Sequence, residues 1–400
     1  MSHFTVLVVT NEKPTGEVLE KALAPFHEFE CTGVDNEYVQ DIDVTEKLRK
    51  EYLEQTESLL KAPDGTLLSP YDDRFYRDPT PEEVEEHGPI HGTGGSSRFS
   101  YTSKDWGDGK GYRAKVRFVP EGYEPVEVPT AERKTFAAFV EDWSGQKVVP
   151  YGQAPDLAKT HKYGYVLLTK TGEVDKVIDR TNPNAEWDWY VLGGRWHGML
   201  LAKRQAFAKM EVGSGGPGLM GSSHENAEAG GVDWCRIGDL DLERMKNAAV
   251  AKRQAQWVSV QRRAEEKGIR LSAGELDTKR RDYVQERQRI IEAWRKETPS
   301  GRPFWTERLT PEQQAFDYAF YDFGAITTED DIPIQEWIDA APPLSTFAVL
   351  MDGKWTERGD MGWWGVVSDE KDERAWAREY EALLRRLRPD QFIAVVDCHI

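Results

Sequence analysis

Cysteine is scarce in this chain: Cys31, Cys235 and Cys398 are the only three in 400 residues, far apart and without CxxC spacing. A disulfide framework and a zinc ribbon are therefore not indicated, and a reducing cytosol fits best. Long apolar runs are missing as well. The amino terminus lacks a basic segment followed by a long apolar stretch, so secretion and membrane insertion are not expected. Positive charge is in deficit, with 52 Lys and Arg against 70 Asp and Glu for a net −18. That balance disfavours sequence-independent attraction of the whole surface to nucleic acid or an anionic membrane, while leaving room for a local basic face or a basic protein partner. A core is not missing: 39% of residues are hydrophobic and 11% aromatic, with 14 Trp, which marks a globular chain. The length suits two or three average domains, or one composite domain with large insertions.

Short aromatic strands joined by glycine turns dominate what is there. Trp187-Asp-Trp-Tyr190 leads into Gly193-Gly194, a pair able to take the positive φ of a tight turn, and predicts a hairpin with the stretch from Arg195 to Leu201. Thr171-Gly172 and Asp352-Gly353 predict two more hairpins. Residues 4 to 9 are rich in β-branched side chains and read as a buried strand. A helix is expected over 46–61, capped by Thr45, with Leu48, Tyr52, Leu59 and Leu60 on or near one stripe. Residues 62–111 are rich in Gly, Pro, Asp and Ser and read as an irregular insertion, broken by one short helix from Thr80 to Gly88. Near the carboxyl end a helix over 369–388, capped by Ser368, precedes a final strand over 392–398. The first strand fits into the same sheet.

The texture changes to long helix between Asp239 and Glu297. Gly268 ends a first helix, and Ser272 with Glu275 forms a capping box for a second that runs to Pro299. In the second, Leu276, Tyr283 and Ile290 recur every seven residues beside Val284, Ile291 and Trp294, a single packing seam. The expected fold class is α+β: a mixed, largely antiparallel sheet built from hairpins with helices packed on it, plus an inserted long helical hairpin. Residues 1–235 and 301–400 would form the body, and 236–300 the helical hairpin.

Several residue sets carry candidate chemistry. Gly213, Ser214, Gly215 and Gly216 open a glycine-rich loop suited to an anion, although it lacks the Gly-Lys-Ser/Thr ending of a P-loop. Asp239 and Asp241 have the spacing by which a strand aims two carboxylates at one metal ion, and equally that of acids opening a helix. Trp187, Trp189, Arg195 and His197 form a candidate aromatic binding surface, and Met361-Gly-Trp363-Trp364-Gly365 a second. Strand alternation sends Asp397 and His399 to one face and Cys398 to the other. His27 and Cys31, with Glu28 between them, complete a metal or nucleophile cluster if residues 26–31 lie near that terminus, with His3 as a further member. The default for these groups is a buried cysteine and hydrogen-bonded histidines, and no metal site or cofactor is assigned. Residues 243–297 carry 15 Lys and Arg against 9 Asp and Glu, a net +6 that leaves −24 for the remainder. This segment is either a basic arm against an acidic body or a surface for nucleic acid or a partner.

Met1-Ser-His-Phe-Thr-Val-Leu-Val8, Ala24-Pro-Phe26, Trp187-Asp-Trp-Tyr190 with Gly193-Gly-Arg-Trp196, Pro217-Gly-Leu-Met220, Met361-Gly-Trp-Trp-Gly365 and Val395-Val-Asp-Cys-His-Ile400 resemble an uncharacterised family of bacteriophage and prophage-like proteins. The resemblance spans both ends and the middle, while residues 62–111 and the helical hairpin look more variable. It implies no established activity and gives no residue a role. The leading expectation is a phage-encoded accessory protein in the host cytosol that binds a host or defence protein, with a patch around Trp363 and Trp364. The alternative is an enzyme acting on a nucleotide or other phosphate compound through the 213–223 loop, Asp239 and Asp241, with Arg195 and His197 nearby. Nucleic-acid binding through 243–297 is the third.

Overall fold

The computed structural model describes residues 2–77, 80–82, 99–101, 114–297, 305–321, 332–362 and 365–400. The fold is α+β, with mixed, mostly antiparallel sheets. The chain divides into two compact units, one of residues 1–31 and 184–400, the other of residues 32–183. The helical hairpin belongs to the first unit. The segment that interrupts the first unit in sequence is thus residues 32–183.

The first unit is built on a sheet whose two central strands are the ends of the chain. Strand His3–Thr10 runs antiparallel to strand Phe392–His399, from His3 opposite His399 to Thr10 opposite Phe392. All eight residues of the latter strand are buried, as its apolar, β-branched run requires of a strand covered on both faces. On its other side His3–Thr10 pairs in parallel with Ala348–Met351, which turns through Asp352 (φ 54°) and Gly353 (φ 72°) into Lys354–Glu357. Beyond the carboxyl-terminal strand, Trp234–Arg236 pairs with its first half and Trp189–Leu192 with its second. Alternation splits the core in two. Leu7, Val9, Ile393 and Val395 pack on one face with Leu200, Leu201, Met245, Trp376 and Tyr380. Phe4, Val6, Val8, Ala394, Val396 and Cys398 pack on the other with Leu19, Leu23, Phe26, Trp187 and Trp234.

The carboxyl-terminal helix is Glu373–Arg385 and is capped by Asp372, which accepts from Ala375 N, in place of the expected Ser368. Helices Leu242–Glu266 and Ala273–Glu297 form the hairpin, with Gly268 at φ 79° and the Ser272–Glu275 capping box between them. Their seam is buried at Leu276 and Tyr283, against Phe316, Phe320 and Trp337, and becomes half-exposed by Ile290.

In the second unit a four-stranded sheet contains Gln40–Asp43, Val174–Thr181, Gly164–Leu168 and Lys147–Val149, with the Thr171-Gly172 hairpin as expected. The helix expected over 46–61 is shorter, Thr45–Glu54, and Thr45 is its buried first residue with Val44 at the cap. Gln55 turns extended, and Thr56–Lys61 is a strand paired with Glu124–Pro129. Leu59 and Leu60 are buried there through sheet pairing and not on a helical stripe. The helix expected from Thr80 lies mostly outside the described residues.

Candidate functional site

The predicted Gly193-Gly194 hairpin does not form. Both glycines hold positive φ, 80° and 56°, but the strand Trp189–Gly194 ends there in a turn in which Trp196 N donates to Gly193 O and His197 N to Gly194 O. Two carboxylates require these glycines. A Cβ on Gly193 would lie 2.4 Å from Asp233 Oδ2, and one on Gly194 would lie 2.4 Å from Asp397. Arg195 and His197 therefore sit in a turn and not on one strand face.

Asp233 is fully buried. It accepts from Gly198 N at 2.6 Å, Gly215 N at 2.7 Å and His197 Nδ1 at 2.8 Å. The glycine-rich loop thus does turn an amide toward an anion, and that anion is the protein's own side chain. Asp397, 2% exposed, repeats the arrangement: one oxygen takes Arg195 N at 2.8 Å and the other takes His3 Nδ1 at 2.8 Å.

The third carboxylate–imidazole pair is the tightest. His399 Nδ1 lies 2.7 and 2.8 Å from the two oxygens of Asp188. An ionised carboxylate only accepts, so Nδ1 carries the hydrogen and the lone pair of a neutral ring is on Nε2. That Nε2 is buried and has no hydrogen-bond partner. Trp189 stacks on the His399 ring at 4.9 Å and is itself 38% exposed. His3 meets both rings edge-on, at 5.2 Å from Trp189 and 5.0 Å from His399.

Residues 26–31 reach the same place. Glu28 N donates to Trp187 O, and His27 Nε2 lies 3.1 Å from Asp188 O. Glu28, Cys31 and Asp188 bring three ligand-type atoms within 4.8 Å of one another. The Cys31 thiol donates to Glu28 at 3.2 Å, and burial together with that carboxylate pushes it up to about 12. It is a protonated thiol at neutral pH and a poor nucleophile. The conditional cluster of His27, Glu28, Cys31, His3 and His399 is thus brought to one end of the sheet, with Asp188 at its centre. Cys398 is on the opposite face, in the core.

The remaining candidates separate. Trp187 is buried in the core and donates from Nε1 to Leu23 O, whereas Trp189 is exposed. Asp241 caps helix Leu242–Glu266 by accepting from Arg244 N at 3.1 Å. Asp239 is buried in a one-turn helix, and the described residues bring no third ligand to this pair. Trp363 and Trp364 lie outside the described residues. Their flanking glycines are tied to the sheet end, since Ser2 Oγ donates to Gly362 O and accepts from Gly365 N. In the helical hairpin, Lys252 pairs with Glu225, Arg253 with Glu373 and Arg287 with Asp317, which is the pattern of a basic arm neutralised by acids elsewhere in the unit. No helix among the described residues is long and apolar enough to cross a membrane.

Asp188 and Asp233 were not singled out by sequence reasoning. Asp188 had a signal, an acid between two tryptophans on a strand, whereas Asp233 had none beyond its glycine neighbours. Compared with known proteins, the chain matches no family model, no curated protein and no solved structure. What fold and site define together is an α+β protein with three carboxylate-held histidines among its described residues, two of them at one end of its central sheet.

Proposed function

We propose that this sheet end is an acid–base catalytic centre, with His399 as proton acceptor, Asp188 as its positioning carboxylate and the His3–Asp397 pair beside it. One observation carries the reading: His399 Nε2 is buried and unpartnered while Nδ1 is held by both oxygens of Asp188. Leaving a buried polar atom unpaired costs roughly 1–3 kcal/mol, and such a cost persists where the atom has work to do. In the reaction a water or hydroxyl of the substrate gives its proton to Nε2, and the imidazolium formed is stabilised by Asp188. Trp189 covers one face of the ring, so substrate approach displaces it or stacks on its exposed side.

The test is hydrolysis of p-nitrophenyl acetate, p-nitrophenyl phosphate and bis-p-nitrophenyl phosphate by the whole chain and by His399→Gln. We expect kcat/KM for the accepted probe to fall by about 10²–10⁴ in the variant. Equal rates in the two proteins overturn the reading. So does a nitrogen-15 spectrum that places the neutral-state proton of His399 on Nε2.

A second reading, docking of a partner protein such as the host or defence protein expected above, is favoured by the Gly218–Ser222 loop. Leu219 is 79% exposed and Met220 is fully exposed at φ 63°, an uncommon conformation for a non-glycine residue. A stoichiometric partner captured from cells and lost with Leu219→Ser/Met220→Ser supports it, and a partner retained by that variant refutes it.

A further inference from the structure

One largely apolar space in the first unit lies away from the histidines. A cavity of about 500 Å³ lies between the start of helix Leu242–Glu266, the segment 340–345 and helix Glu373–Arg385. Its walls include Leu242, Pro342, Leu344, Tyr380 and Leu384. Its size is in the range of small-molecule sites, which are mostly apolar with a few convergent polar groups. Two adjacent prolines, Pro342 and Pro343, fix much of the backbone of one wall.

Lys246 is the unusual group in this cavity. Its ammonium donates to the carbonyls of Asp339 and Ala341, the latter at 2.7 Å. Both acceptors are neutral, and an ammonium has three hydrogens to donate. Among the described residues no carboxylate lies within ion-pair distance of Lys246. Of the other charged groups on the lining, Arg385 and Glu381 pair with each other at 2.7 Å. The lining is thus left with one ammonium that has no ion-pair partner, held by backbone carbonyls alone.

We infer that this cavity binds a small amphipathic anion, an aliphatic or aromatic carboxylate whose apolar body lies along Pro342, Leu344 and Leu384 and whose carboxylate takes the free hydrogen of Lys246. The negative charge of the surrounding protein does not favour anions in general, so selection rests on that single ammonium together with the apolar walls. A charge-assisted hydrogen bond at a half-buried site distinguishes the acid from its alcohol by about tenfold or more.

The test is calorimetric titration of the whole chain with decanoate and with decanol. One decanoate is expected to bind per chain, about tenfold or more tighter than decanol. Lys246→Met should bring decanoate down to the level of decanol. Ala377→Phe, which fills the cavity from helix Glu373–Arg385, should abolish binding of both. Because Lys246 also ties down the 339–341 backbone, the comparison of acid with alcohol on the unaltered chain and the Ala377→Phe variant stand without it. Equal affinity for the two probes, no saturable binding of decanoate, or binding undiminished by Ala377→Phe overturns the inference.

Discussion

Glu186 is two residues from Asp188, on the same connection that carries the proposed positioning carboxylate. Burial, followed by the nearby Glu357 and Asp360 carboxylates, raises its carboxyl from the ordinary 4.5 to about 8. Between those values the folded protein holds a proton that the unfolded chain has released. Stability is therefore highest below about pH 4.5 on account of this group, and falls as pH rises toward 8. We expect Glu186→Gln to raise the melting temperature at pH 9, where the native carboxylate is ionised, and to leave it unchanged at pH 4. Melting curves at the two pH values check this; equal shifts at both would mean that the side chain acts through packing alone. Gly194 poses a steric question at the same scale. An alanine there must hold φ 56° with its Cβ 2.4 Å from Asp397. Gly194→Ala is expected to cost about 2 kcal/mol or more, read as a lower urea midpoint at unchanged m-value.

Among the elements, what could be read in advance depended on how local the cause was. The Asp352-Gly353 turn is specified by two residues that accept positive φ, so the hairpin from Ala348 to Glu357 formed as expected. The Ser272–Glu275 box and Gly268 likewise carry their reasons within one turn of chain. Gly193-Gly194 has the same local signature but a distant cause: the positive φ makes room for Asp233 and Asp397, about 40 and 200 residues away. No local rule distinguishes the two cases. The candidate site shows the same limit. Alternation places Asp397 and His399 on one face from sequence alone. The partners that give them meaning, His3 and Asp188, arrive only through the register of His3 and Trp189 opposite His399. In the structure Asp241 caps a helix, one of the two readings that its spacing allows. As a helix cap, Asp241→Ala should lower stability by about 1 kcal/mol. Denaturant titration and the p-nitrophenyl assays together check this, because a metal-holding carboxylate would abolish turnover, while a cap leaves the rate per folded molecule unchanged.

The molecule as a whole is one sheet-based unit interrupted by another. The interruption is closed within each unit. In the first, Glu28 N donates to Trp187 O and Glu186 N to Phe26 O, so the chain leaves and returns at one place. In the second, Gln40–Asp43 pairs antiparallel with Ile178–Thr181, which brings its two ends together as well. Each unit also has its own core: Leu48, Phe139, Val140, Val166 and Val177 in the second, and the two-faced sheet core in the first. A segment whose ends meet and whose apolar side chains bury one another is the form in which domain insertion is tolerated. Residues 34–182 should therefore be replaceable by a short Gly-Ser linker without unfolding the remainder, and residues 32–183 should fold when made alone. The His3–Asp397 and His399–Asp188 pairs lie wholly in the first unit, so the shortened chain should keep the p-nitrophenyl activity of the whole one and its decanoate binding. Circular dichroism melts of the two pieces, set beside that of the intact chain, test the folding. Loss of cooperative melting in the shortened chain would overturn the separability of the two units. Retained melting with lost activity would overturn the placing of the proposed centre wholly within the first unit.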